Sequence, residues 1–512
     1  MGNNFLTGLT NATNFTRTEN GALTHKSTGS AVYDMFGMGG AYRARTDEDC
    51  ILLFKNAYLE DPVYALKCLF YIGDCRGGQG ERRFFRVCAR WLANYDPAAM
   101  KRNLQYIPLY RRWDDLYTFI GTPLQNDALE FIKEQLALDV QSKTPSLLAK
   151  WLKSENTTSA ESRRLGNITR RYLGMNHRQY RKTLSILRTR INILEKLMSA
   201  GQWDKIEFDK IPSRAGMIYK NAFARHDVER MRAIKAVQSY ADFAKDTTTK
   251  VNAQTLYPYE CVAEALKCFR TGSYLTAKMC SPDDTNRLMT NKYWDNLADY
   301  FKGASFNGIV VADTSGSMVS SKPTAPINVA ISLGLYCAEK AKGPFAGHYI
   351  SFASRPQLIK TEGVDFVDKV YRIYKTNLVD NTNIEATFDL LLNTAIENHC
   401  TQDELPQNVL IVSDMEFDSA RGVSYYTRHD RSSTTTLMES IRQKWLAHGY
   451  QMPHLVFWNV DARQNNIPMK DENGITFVSG FSPSIFEQIM TGKTGKALMY
   501  DKLDSARYEC IR

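Results

Sequence analysis

The stretch Ile309-Val310-Val311-Ala312-Asp313-Thr314-Ser315-Gly316-Ser317 constrains this chain more than any other. Four apolar residues in a row, mostly β-branched, read as a strand covered on both faces, the pattern of a parallel sheet. The strand runs straight into Asp-x-Ser-x-Ser, so a carboxylate and two hydroxyls emerge at its carboxyl end. Open α/β sheets bind their ligands at that end. Three hard oxygen donors without a thiol or an imidazole suit a hard divalent cation that keeps some water, Mg²⁺ before Ca²⁺ or Zn²⁺. A helix is predicted from Ala325 to Lys342, with Pro323 and Pro326 before it or in its first turn.

Two more pieces fit the same site. Asn381-Thr382-Asn383 precedes an amphipathic helix, Ile384 to His399, so Thr382 offers a hydroxyl from the loop before it. The strand Val409-Leu410-Ile411-Val412 ends in Ser413-Asp414, a second carboxylate at the sheet's carboxyl edge. A plainer alternative has Asp313 and Ser315 only capping the next helix. It accounts for Asp-x-Ser-x-Ser alone, but not for Thr382 and Asp414 following in order between α/β units. Glu416 and Asp418 add carboxylates beside the site, either tuning a metal or lying as solvated loop charges.

A chain of 512 residues calls for two or three domains. With 43% hydrophobic and 23% charged residues it is globular in composition. No apolar run approaches about 18 residues, so no transmembrane helix is expected. Met1 to Asn20 is polar and lacks the basic-then-apolar plan of a signal peptide. The ten cysteines are scattered without a Cys-x-x-Cys pair, the pattern of reduced, mostly buried thiols and not of a zinc site. A cytoplasmic location is expected.

The formal net charge of +10 is unevenly spread. Residues 1–304 carry 45 Lys and Arg against 32 Asp and Glu, whereas 305–512 is slightly acidic. Between Gln141 and Lys250 the ratio is 23 to 10, which favours a polyanionic partner over mere solvation of helices. The core of this excess is Arg163, Arg164, Arg170, Arg171, Arg178, Arg181, Lys182 and Arg188, interleaved with Tyr172, Tyr180, Leu184 and Leu187. Aliphatics at helical spacing leave the cations facing outward, where Arg pairs with phosphate oxygens or stacks on bases. Tyr172 and Tyr180 are stacking platforms or core aromatics.

Helical patterns run in short succession from Thr46: Asp47 to Leu59, Pro62 to Ile72, Arg83 to Asn94, Asn126 to Val140, Pro145 to Leu152, Arg163 to Met198, Met217 to Phe243 and Pro258 to Phe269, after which Trp294 to Phe301 leads to the first strand. Such density suggests HEAT-like packing, although no clean repeat period emerges. The glycine-rich turn Gly73 to Arg82 lacks a Gly-Lys-Ser/Thr ending and does not follow a strand, which excludes a phosphate loop. After the first strand, strands at His348 to Ala353, Asn408 to Ser413, His454 to Val460 and Thr476 to Gly480 alternate with helices. That alternation predicts a doubly wound parallel sheet.

Asp-x-Ser-x-Ser, then Thr, then Asp at these intervals resembles the metal-ion-dependent adhesion site of von Willebrand factor A domains. The resemblance implies direct metal contacts from Ser315 and Ser317, with Thr382, Asp313 and Asp414 contributing directly or through water. A basic helical region followed by such a domain resembles the Ro autoantigen (TROVE-module) ribonucleoproteins, and still more a poorly characterised family from phages and plants with the same two-part plan. The residues carrying it are Gly77 to Arg82, Trp113-Asp114-Asp115-Leu116, Ile211-Pro212-Ser213-Arg214, Asp313 to Ser317, Ser413 to Asp418, and Phe457-Trp458-Asn459-Val460. In Ro-type proteins the repeats curl into a ring closed by the A-type domain, and the ring binds RNA ends and structured small RNAs. The helical motifs depart from the Ro pattern, so RNA contacts do not carry over residue by residue.

The expected fold is α + α/β: a flexible segment 1–40, a basic HEAT-like helical arc or ring over 41–304, and a doubly wound, Rossmann-like A-type domain over 305–512. The expected function is an RNA-binding scaffold holding Mg²⁺ or another divalent cation, its partner a small or structured RNA with single-stranded ends. Alternatives are a metal-dependent module for an acidic protein ligand or, less favoured, a metal-dependent phosphodiesterase. No His or Lys lies at a spacing that suggests a catalytic base, and no membrane partner is implied.

Overall fold

The computed structural model describes residues 13–234, 238–269, 279–319, 325–352, 355–376, 383–418, 436–469 and 474–512. The chain divides into two compact units, one of residues 1–68 and 254–507, the other of residues 69–253 and 508–512.

The first unit opens with a hairpin of β1 (Phe15–Arg17) and β2 (Leu23–His25), antiparallel with Thr16 opposite Thr24. The rest is built on six strands: β3 (Gly308–Asp313), β4 (His348–Phe352), β5 (Gln357–Lys360), β6 (Asn408–Ser413), β7 (His454–Asn459) and β8 (Ile475–Ser479). Their order is β5-β4-β3-β6-β7-β8, with every pair parallel except the edge pair β4 and β5. Every residue of β3 and of β8 is buried, so both faces of the sheet are covered; β5 is exposed and closes the edge. Helix Pro326–Lys340 lies on β3, β4 and β6, and helix Pro258–Leu266 packs on its outer side. No helix among the described residues is long and apolar enough to cross a membrane.

Two boundaries expected from the sequence need correction. Residues 13–40 are not a flexible segment: the hairpin is followed by helix Ala31–Met38, which packs on β8. Its Tyr33 hydroxyl accepts from Phe477 N–H (3.0 Å), and Gly40 N–H donates to Ser479 Oγ (2.9 Å). Nor does the sheet unit begin at 305. Helices Pro258–Leu266 and Thr285–Asp295 belong to it, because Trp294 is fully buried, stacks on Phe366 (4.0 Å) and donates to Glu339 (2.7 Å). That helix ends at Asp295, and the residues from Asn296 to Phe301 lead on toward β3 without helical structure.

The second unit is helical, without a strand among its described residues. The basic stretch Arg163–Met198 is broken into helices Ala160–Tyr172, His177–Arg190 and Leu194–Ser199, because Gly174 (φ +65°) stops the first and Asn176 caps the second. The last residues of the chain return to this unit. Tyr508 stacks on Tyr110 (5.5 Å) and donates to Asp74 (2.9 Å), and Arg512 N–H donates to Asn103 (3.0 Å). All ten cysteines are free thiols, six of them buried.

Candidate metal centre and basic helix face

Strand order reverses in direction between β3 and β6, and ligands of open α/β sheets bind in the crevice above such a point. Register places Ala312 beside Val412, so the two strands deliver Asp313 and Ser413-Asp414 to the same edge. Asp313, Ser315 and Asp414 are buried. Asp313 accepts from Ser315 N–H (2.9 Å) and from the Ser413 hydroxyl (2.5 Å). The Ser315 and Ser317 hydroxyls are 3.1 Å apart, and the Ser317 hydroxyl bonds to Asp414. Four of the five sequence-predicted ligands are thus one cluster. The fifth, Thr382, lies outside the described residues, and Asn383 after it caps helix Ile384–Glu397 through Ala386 N–H (3.0 Å).

Capping does not account for these side chains. Ser315 begins a single turn, Gly316–Met318, without a side-chain capping bond, and helix Pro326–Lys340 starts after Ala325. Burial raises both carboxyls above the ordinary range, and each is pushed further by a neighbouring acid, Asp418 for Asp313 and Asp313 for Asp414. Asp414 Oδ2 is buried without a hydrogen-bond partner; its nearest cation is Arg463, 3.5 Å away. Two acids side by side with an unsatisfied oxygen are costly unless positive charge compensates them. Among the described residues no three His, Cys, Asp or Glu side chains form a metal-binding group, so any cation here relies on hydroxyls to complete its shell.

Glu416 is turned to another task. Met415 adopts a left-handed conformation (φ 66°), and the next carboxylate accepts from Asn466 (2.9 Å) and from Glu19 N–H (2.6 Å). It thereby ties the loop after β6 to the N-terminal hairpin. Burial raises its pKa to about 7. Asp418 pairs with Gly21 in an isolated antiparallel bridge. Glu19 and Arg463 form an ion pair beside Asp414, and neither is legible in the sequence, since residues joined only by the packed chain carry no spacing signal.

The eight predicted RNA-facing cations divide into two groups. Arg188 is a structural residue, donating to Ala149 O (2.8 Å), Leu152 O (2.8 Å) and Ser154 (3.1 Å). Arg170 is held by Glu155 (2.6 Å) and Met175 O (2.9 Å). The other six are exposed. Arg163 and Arg181 bond carbonyls of their own segment, and Arg164 forms a surface pair with Glu161. Arg171, Arg178 and Lys182 make no hydrogen bond or ion pair among the described residues. Arg178, Arg181 and Lys182 crowd one face of helix His177–Arg190 at three- and four-residue spacing. Tyr180 is core, which removes it as a stacking platform, whereas Tyr172 is part-buried and its hydroxyl donates to Glu130 (2.9 Å).

A family model described as a domain of unknown function (DUF2828) matches residues 18–164 and 135–305, and a second such domain (DUF7788) matches residues 307–506. The chain is 30% identical to the uncharacterized protein L728 of Acanthamoeba polyphaga mimivirus, across 94% of this chain and 85% of the viral protein.

Proposed function

We propose that this chain, which belongs to the DUF2828 family, is an RNA-binding scaffold whose helical unit contacts phosphates and whose sheet unit holds a divalent cation. The observation that carries the RNA reading is Arg171, Arg178 and Lys182, exposed on two successive helices with no acceptor among the described residues. Like charges at i, i+3 and i, i+4 repel, and the repulsion is repaid when phosphates lie against them. The resemblance to Ro-type ribonucleoproteins and the HEAT-like density of helices support the same reading. Fluorescence anisotropy of a labelled single-stranded RNA tests it. R171E/R178E/K182E is expected to lose binding while keeping the wild-type circular dichroism, and unchanged RNA affinity in that variant overturns the proposal.

The cation reading rests on two buried carboxyls side by side, Asp313 and Asp414, whose Oδ2 has no hydrogen bond among the described residues and only Arg463 at 3.5 Å as a counter-charge. Asp313, Ser315, Ser317 and Asp414, with Thr382 from the next loop, would hold it, in the manner of the A-type adhesion site that the strand order and the Asp-x-Ser-x-Ser motif resemble. When bound, a hard divalent ion supplies positive charge and an open coordination position for an acidic side chain of a protein partner. This second role, a metal-dependent docking module, coexists with RNA binding. Thermal unfolding with Mg²⁺ against EDTA is expected to show stabilisation in the wild type and none in D313A. Equal responses in the two proteins sink the cation reading and leave the RNA reading standing.

A further inference from the structure

A second charged cluster, in the helical unit and separate from the cations discussed above, is built around Asp114 and Asp115. Both are buried in the turn Trp113–Phe119. Asp115 accepts from Arg86 Nε (2.5 Å), Arg111 Nε (3.0 Å) and an Arg82 guanidinium nitrogen (3.3 Å). Asp114 accepts from Arg112 through two nitrogens (2.9 and 2.8 Å) and from Lys153 (3.3 Å). Five cations therefore share two carboxylates, the only ones they contact among the described residues. A structural ion-pair network of this depth would balance its charges, because uncompensated charge in a partly buried setting is expensive.

The donors left over point in one direction. Arg111 is fully buried and its remaining nitrogens are taken by Gly73 O (2.6 Å), Glu81 O and Arg82 O. Arg112 is spent on Asp114 and stacks over Trp151 at 3.8 Å. Arg82 reaches the acids through one nitrogen only, and its Nε is buried with no acceptor, out of reach of the water that would otherwise satisfy it. Arg86 likewise uses Nε and leaves its other guanidinium nitrogens without a hydrogen bond. Both side chains keep more than a third of their surface open, so a ligand can reach them from solvent.

Arg82 and Arg86 lie in the opening turns of the 14-residue helix Arg82–Tyr95, whose N-cap Glu81 already accepts from Arg83 N–H (3.0 Å). The side chains, and not the helix terminus, therefore carry the site. We propose that Arg82, Arg86 and Lys153, gathered over Asp114 and Asp115, form a binding site for a phosphate group. A tetrahedral dianion offers enough oxygens for two guanidinium forks and an ammonium, and its charge offsets most of the excess. The site extends the RNA reading by giving one phosphate a fixed seat, but inorganic phosphate binding does not depend on that reading.

The test uses the full chain and inorganic phosphate at matched ionic strength against chloride. Phosphate is expected to raise the wild-type Tm and to broaden its own ³¹P resonance. R82Q/R86Q, which keeps Arg111 and Arg112 on the acids, is expected to bind phosphate at least about tenfold more weakly. Should that variant fail to fold, R86Q alone carries the comparison with the same direction of loss. A wild type that neither broadens the signal nor gains stability overturns the site, as does a folded variant that binds phosphate as well as the wild type. Oligouridylate with and without a 5′-phosphate then competes for the site. Preferential displacement by the phosphorylated form marks a strand end as the source, and equal displacement marks the diester backbone. Failure of both oligonucleotides while inorganic phosphate still binds contradicts the RNA reading and not the site.

Discussion

Arg178 and Arg188 stand ten residues apart on one helix and look alike in sequence, yet the structure gives them opposite work. Arg188 ties three acceptors between Ala149 and Ser154 to its helix, so R188A is expected to cost about 3 kcal/mol in urea unfolding, with those acceptors left bare. R178A removes an exposed side chain without a partner and should leave stability within about 0.5 kcal/mol while weakening RNA binding. His454 offers a pH-dependent counterpart. Thr476 Oγ1 accepts from Gly495 N–H, so its proton goes to His454 Nε2, and Nδ1–H donates to Asn408. That arrangement requires a neutral ring, and burial lowers its pKa to about 4. The unfolded chain binds the proton near pH ~6.5, so stability is full above that pH and declines as pH falls toward 4. Thermal unfolding should show a loss of about 2–3 kcal/mol across this window, reduced in H454Q.

Among the elements, the N-terminal hairpin and helix Ala31–Met38 were the least legible. Met1 to Asn20 is polar and reads as weakly structured, yet the chain turns at Gly21 (φ +92°) to close a hairpin. What orders the segment is contact with residues remote in sequence, in the segments after β6 and β7 and in β8. Thr18 donates to Phe417 O (2.7 Å), and His25 exchanges backbone bonds with Ile467 (2.9 Å each). E416A is expected to destabilise the unit by about 2–3 kcal/mol, because Glu19 N–H and the Asn466 amide lose their acceptor. G40A should cost a similar amount, since a Cβ there would stand 2.8 Å from the Ser479 carbonyl oxygen and backbone cannot retreat cheaply. Both are readable from denaturant midpoints. By contrast β3, β6 and β7 match their sequence boundaries closely, because a continuous apolar run bounded by polar residues is a pattern that burial on both faces enforces.

For the whole molecule the testable quantity is the salt dependence of RNA binding. If the exposed cations of the helical unit contact phosphates, log K should fall with log salt by about 0.7 for each phosphate, and R171E/R178E/K182E should flatten the slope by about two to three contacts' worth. D313A should leave that slope unchanged.

Local pattern was enough to write most strands and helices of this chain and to nominate Asp313, Ser315, Ser317 and Asp414, since strand ends of a parallel sheet necessarily share an edge. It could not tell which arginines are already spent, that Glu416 serves the hairpin, or that five cations converge on Asp114 and Asp115. Those outcomes depend on distances between segments remote in sequence. Hydrophobic periodicity places elements, but only the packed chain decides which polar atoms find one another and which are left without a partner.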